Sequence, residues 1–183
     1  MPRLFIAIDF PESVATRLQD IAYGLPGAAW VHQYHLTLRF LGETPTPVLE
    51  DIQHSLNEVR ACSFHVDLKS VGHFPHRGTP EVLWVGVSYN ESLIRLNRRL
   101  ETALSKAGVP SESRKFHPHV TLARLKNGAV RHVGDFEVHH ALFKIPEVPV
   151  EQFHLYSSHL SPEGAVHTVE GSYALEGILQ GDY

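Results

Sequence analysis

Chemistry in this chain is concentrated in two tetrapeptides of one form, His35-Leu36-Thr37-Leu38 and His119-Val120-Thr121-Leu122, which lie 84 positions apart. In an extended strand residues i and i+2 share a face. Each tetrapeptide therefore sets an imidazole beside a hydroxyl and turns Leu36, Leu38, Val120 and Leu122 the other way, into a core. An unperturbed imidazole titrates near 6.5, so a pair of them can supply one base and one acid at neutral pH. That suits displacement at phosphorus. The neutral ring takes a proton from an attacking water and the protonated ring gives one to the departing oxygen, each contribution being worth about 10² to 10⁴ in rate. Thr37 and Thr121 would hold the non-bridging oxygens while an arginine balances the transition-state charge. Strict alternation selects Arg39 for that role, because it has the parity of His35 and Thr37. The scheme needs no metal and no cofactor.

The elements around the two motifs repeat. Ahead of His35 come an apolar run from Leu4 to Ile8, a helical stripe of Val14, Leu18, Ile21 and Ala22, and Gly24 as a stop. Ahead of His119 come the run Val82 to Val87, a stripe of Leu93, Leu96, Leu100, Ala103 and Leu104, and Gly108 as a stop. Each glycine precedes its histidine by the same 11 residues. This shared order implies an internal duplication, with half-repeats roughly 1–71 and 81–176 and a site at a pseudo-twofold axis.

Between and after the motifs, Asp9 is expected to cap the first helix, and Thr46-Pro47 to open a second carrying Leu49, Ile52, Leu56 and Val59. Phe64, Val66 and Leu68 alternate with His65, Asp67 and Lys69 as a half-buried strand. The run from Gly72 to Pro80 is expected to connect the lobes. Three further strands are expected near Phe136 to Phe143, Gln152 to Ser158 and His167 to Leu175, with a turn at Ser161-Pro162-Glu163-Gly164. The expected fold class is α+β: two pseudo-twofold-related lobes of mainly antiparallel sheet with outer helices, enclosing a central cleft with one HxTx strand from each lobe.

At 183 residues the chain is in the one-domain range, and a single bilobal domain is expected. A net charge of −4 argues against wrapping long nucleic acid, which takes many phosphate contacts. A local cluster of Arg39, Arg114, Lys115, Arg124 and Lys126 could still hold a small anionic group. Cys62 is the only cysteine, which excludes an intrachain disulfide and a cysteine-built zinc site. The opening residues lack a long apolar leader and no run reaches the roughly 20 apolar residues of a membrane span, so a cytoplasmic location is expected. The histidine-rich composition suggests metal ligands, but few acidic residues lie near the motifs and no metal is assigned. His65, His73, His76 and His154 are read as surface or loop residues.

The two motifs, the opening Arg3-Leu4-Phe5-Ile6-Ala7-Ile8-Asp9, the string His35 to Gly42 and the string Pro118 to Arg124 together resemble the 2H phosphoesterase superfamily. Within it they are most similar to the RNA 2′,3′-cyclic phosphodiesterases, also called 2′-5′ RNA ligases. The resemblance implies metal-independent hydrolysis of an RNA terminal 2′,3′-cyclic phosphate to a 2′-phosphate, with reversible 2′-5′ joining as a related activity. It implies His35 as proton donor, His119 as proton acceptor, Arg124 in the phosphate site and Trp30 as a stacking surface for the terminal base. Alternation places Arg124 on the wrong face unless the strand bulges or twists. Residue spacing thus favours Arg39 and the resemblance favours Arg124. The implied partner is an RNA end, with a nucleotide as a further occupant, acting on a monomer away from membranes. A non-catalytic RNA-end or nucleotide-binding module, a metallohydrolase and a phosphodiesterase for another small cyclic phosphate stay open.

Overall fold

The structure is a computed structural model that describes residues 2–22, 24–76, 79–125, 129–161 and 164–177. Chain order is β1 (Arg3–Asp9), α1 (Glu12–Ala22), β2 (Ala28–Trp30), β3 (His35–Glu43), α2 (Thr46–Asn57), β4 (Phe64–His76) and β5 (Thr79–Val87). There follow α3 (Glu91–Lys106), β6 (His119–Leu125), α4 (Val133–His139), β7 (Lys144–Val150), β8 (Gln152–Ser161) and β9 (Gly164–Ala174). The strands form an antiparallel sheet in the order β7-β4-β5-β6-β3-β1-β8-β9, with β2 also paired to β6. The fold is therefore α+β, as the pattern of elements implies.

That order is symmetric about the β6–β3 seam. Outward from the seam each side carries a motif strand, then the strand preceding the long helix (β5 or β1), then a strand from the other half of the sequence (β4 or β8). The exchange of β4 and β8 threads each side through the other, and one main hydrophobic cluster draws on both. At the seam itself the ladder is one pair long, Leu36 with Val120. Beyond it β2 takes over the edge of β6, pairing Trp30 with Ala123 and Ala28 with Leu125, so β3 and β6 part company and open a cleft.

Helix α3 shows why the helices form. Asn90 accepts a hydrogen bond from the Leu93 amide at 2.9 Å as N-cap, and Leu93, Leu96, Leu100, Ala103 and Leu104 are all buried. Each leucine contributes about 2 kcal/mol by leaving water. Gly108, at φ 77°, ends it in the left-handed conformation that glycine adopts without strain. Helix α1 buries Val14, Leu18 and Ala22, the first two in the same cluster as Leu36, Leu38, Val120 and Leu122. The opposite face of β1 carries a separate small cluster of Phe5, Ala7 and Tyr156.

Several local expectations are overturned. Gly24 does stand just past the end of α1 at Ala22, but its want of a side chain serves packing as well, since a Cβ there would come to 3.0 Å from the Phe136 ring. Pro45, not Thr46, is the N-cap of α2, without a side-chain cap bond. Gly72 to Pro80 does not connect lobes but lies in the β4–β5 hairpin, where a Cβ on Gly72 would overlap the Trp84 indole; Arg77 and Gly78 lie outside the described residues. The segment Phe136 to Phe143 is not a strand. Val133 and Phe136 bury one face of α4, Val138 and Leu142 are exposed, and the edge strand β7 comes after them. Pro162 and Glu163 of the expected turn are outside the described residues, although Ser161 and Gly164 pair across it.

Candidate active site

Both motif strands carry a β-bulge at the same place. On β6 Thr121 faces Trp84 and Ala123 faces Leu83, so Leu122 is an extra residue with no partner of its own. On β3 Thr37 faces Ala7 and Arg39 faces Ile6, so Leu38 is the extra residue there. A bulge of this kind sets two residues against one and reverses the alternation beyond it. Burial follows: Leu122 and Ala123 are both buried and Arg124 is exposed. His119, Thr121 and Arg124 thus share the cleft face, as do His35, Thr37 and Phe40.

The two bulges bear directly on the geometric conflict over the arginines. Parity past the bulge takes Arg39 off the cleft face, and its guanidinium pairs with Glu101 at 2.8 Å and Glu112 at 3.0 Å. It also donates to the Pro110 carbonyl at 2.6 Å. With its side chain only 9% exposed, Arg39 ties β3 to α3 and to the segment before β6. The parity of an unbulged strand does not hold at Arg39, which still lines the cavity beside Thr37 and His119. Lys126 lies outside the described residues.

The Leu36–Val120 pair brings the two histidine-threonine units side by side, and their environments differ. His35 packs at 5.1 Å from the Phe5 ring and edge-on at 5.6 Å to His167. Burial, then the charge of His167, push its pKa down from 6.5 to about 4, with Asp9 opposing and His119 adding slightly. His119 sits edge-on to Phe74 at 4.7 Å, and burial lowers its pKa too, against a hydrogen bond to the His117 carbonyl. That bond runs from Nδ1 at 2.7 Å. A carbonyl only accepts, so Nδ1 carries the hydrogen and Nε2 of neutral His119 keeps a lone pair. Burial thus favours the neutral form of both rings, where the sequence led to the expectation of one neutral and one protonated ring.

A cavity opens on each side of the pair. The one beside His35, of about 550 Å³, is lined by Phe5, Asp9, Phe10, Trp30, Tyr34, Tyr156 and His167 among others. Trp30 reaches it from β2 while also packing against the core. The one beside His119, of about 260 Å³, is lined by Thr37, Phe40, Arg114, Lys115, Phe116 and His117 among others. Nucleosides fit cavities of the first kind, which are concave and aromatic.

Sequence reasoning did not assign Asp9, Tyr156 or His167 to the site, and it placed His154 and His73 elsewhere. Asp9 is not a helix cap but the cross-strand partner of His35, and its Oδ2 accepts a short hydrogen bond from the Tyr156 hydroxyl. Burial first, then that bond, raise the Tyr156 pKa. His154, expected at the surface, is buried: Nδ1 bonds to Ser172 Oγ at 2.9 Å and Nε2 lies 3.8 Å from Asp9 Oδ2. His73 is half-buried and bonded to Glu137 at 2.6 Å. Only Asp9 had a sequence signal, since it ends β1 two positions before a proline. Tyr156 and His167 come from strands far along the chain and could be placed only by the sheet order.

The model of the 2′-5′ RNA ligase superfamily matches residues 10–161. An RNA 2′,3′-cyclic phosphodiesterase of Thermus thermophilus is 36% identical, over 96% of this chain and 91% of the relative. One from Thermotoga maritima is 35% identical, over 97% of each. The crystal structure of E. coli LigT complexed with 3′-AMP superposes with a TM-score of 0.73 at 25% identity, over 95% of this chain and 97% of that one. The chain belongs to the 2′-5′ RNA ligase superfamily, among the RNA 2′,3′-cyclic phosphodiesterases.

Proposed function

We propose that this protein hydrolyses the 2′,3′-cyclic phosphate at an RNA end to a 2′-phosphate by acid/base catalysis between His35 and His119, without a metal. The observation that carries this reading is the register of the motif strands, in which one Leu36–Val120 pair sets two imidazoles and two hydroxyls on one cleft face. His119 Nε2 takes a proton from water as its oxygen bonds to phosphorus. The P–O3′ bond breaks and His35 gives its proton to O3′, leaving the phosphate on O2′. Thr37 and Thr121 hold the non-bridging oxygens, and Arg124 balances their charge. The His117 carbonyl favours the tautomer that a base needs. His35, which burial favours in the neutral form, takes up its proton as the phosphate anion binds, because a nearby negative charge raises an imidazole pKa.

The departing O3′ belongs to the terminal nucleoside, so that nucleoside lies on the His35 side, with its base against Trp30. A nucleotide is a competing occupant of the same place. Joining of a 5′-hydroxyl to the cyclic phosphate follows the same path with an alcohol in place of water. The enzyme acts as a cytoplasmic monomer built by internal duplication. Among the described residues no helix is long and apolar enough to cross a membrane.

The test is incubation of an RNA ending in a 2′,3′-cyclic phosphate with the protein in EDTA, followed by product identification. A 2′-phosphate is expected. Unchanged substrate, or a 3′-phosphate, refutes the reading.

A further inference from the structure

The cavity on the His119 side is larger than hydrolysis requires. An attacking water needs only about 10–15 Å³ of such space, and the cavity beside His119 offers about 260 Å³. It shares no lining residue with the His35-side cavity. Its walls combine two aromatic rings with a surplus of positive charge. Phe40 is 58% exposed, turned to the cleft by the bulge at Leu38, and Phe116 lies nearby. The cations Arg39, Arg114 and Lys115 face the carboxylates Glu101 and Glu112. Arg39 engages both carboxylates, and Arg114 bonds Glu112 at 3.2 Å while its own side chain stays 80% exposed. Aromatic rings with flexible cations are how single-stranded nucleic acid is held without sequence preference.

We propose that this cavity is the acceptor subsite for a 5′-hydroxyl nucleic-acid end, with the terminal nucleoside against Phe40 and the following phosphate on Arg114 and Lys115. The inference rests on the proposed function, because it takes His119 as the base. In-line displacement puts the nucleophile opposite the leaving oxygen, hence on the His119 side. The acceptor's 5′-hydroxyl gives its proton to His119 Nε2 and O5′ bonds to phosphorus. The P–O3′ bond breaks and O3′ takes the His35 proton. The product is a 2′-5′ phosphodiester with a free 3′-hydroxyl, and proton exchange with solvent resets the pair.

The experiment measures the ratio of joined to hydrolysed product. The donor is an RNA ending in a 2′,3′-cyclic phosphate and the acceptor a 5′-hydroxyl oligonucleotide blocked at its 3′ end. Methanol, a nucleophile with no phosphate, serves as the second acceptor. The Arg114→Ala/Lys115→Ala variant is expected to lower the oligonucleotide ratio about tenfold, the effect of two exposed phosphate contacts. Its methanol ratio should match that of the unmodified protein. An unaltered oligonucleotide ratio, or an equal fall in both, overturns the subsite. So does a protein that hydrolyses the donor but joins no acceptor at any concentration. A donor left wholly intact instead refutes the proposed function, and the subsite falls with it.

Discussion

Replacing Asp9 by asparagine should move the protonation of His35 without touching a reacting atom. The two residues are cross-strand partners, which sets their side chains roughly 5 Å apart. At an effective dielectric of about 20, unit charges at that distance interact by about 3 kcal/mol, or roughly two pK units. The Asp9 side chain is 46% exposed, so water screens the effect to about one unit. Burial sets the His35 pKa at about 4, where about one ring in a thousand is protonated at pH 7. The bound phosphate must supply most of the upward shift and Asp9 the remainder. Losing the carboxylate lowers the His35 pKa, so the acid form disappears at lower pH. The single-turnover rate at saturating enzyme, measured against pH, reports groups in the bound complex. Its alkaline limb should move about one unit toward acid, with about a tenfold loss above it. Tyr156→Phe, which frees the carboxylate without removing it, should move the limb less. A limb that stays in place, or moves to higher pH, refutes the coupling.

Further outcomes follow from the bulges and the buried rings. Arg124→Ala should cut turnover by about 10² and leave thermal stability nearly unchanged, as paired activity and melting measurements would reveal. Arg39→Ala should do the reverse. It strands two carboxylates beside a mostly buried gap, costing about 2 kcal/mol and lowering Tm by about 4–8 °C; equal effects of the two variants on turnover would contradict the assignment. In the folded protein the His35 pKa is depressed, so the unfolded chain binds the proton first as pH falls below 6.5. Stability should therefore drop between pH 6.5 and about 4, by up to about 3 kcal/mol from this ring. Denaturant unfolding of His35→Asn should lack that part of the decline, and an unchanged pH dependence would show that the ring is not desolvated.

The motif strands were legible because a two-residue period marks a face, and the helical stripes of α1 and α3 because burial recurs at helical spacing. What alternation cannot register is one extra residue. Leu38 and Leu122 look like ordinary core positions, yet they reverse the parity that decides between Arg39 and Arg124. Segment 136–143 misled for a related reason: Val133 and Phe136 share a helix face, whereas Phe136 and Val138 mimic a strand. Tyr156, His154 and His167 were out of reach because they meet Asp9 and His35 only through the β3-β1-β8-β9 order, and pairing between distant strands leaves no local trace in composition. The Gly72 to Pro80 run was misread as a connection because its glycine serves packing under Trp84 rather than a turn.

The central claim is that His35 and His119 flank one phosphorus from opposite sides. A crystal structure with bound vanadate, which adopts the geometry of a five-coordinate phosphorus, addresses it directly. Imidazole nitrogens of His35 and His119 should lie about 3 Å from opposite apical oxygens, with Thr37, Thr121 and Arg124 around the equator. An anion held by only one of the rings, or bound elsewhere in the cleft, would contradict the account.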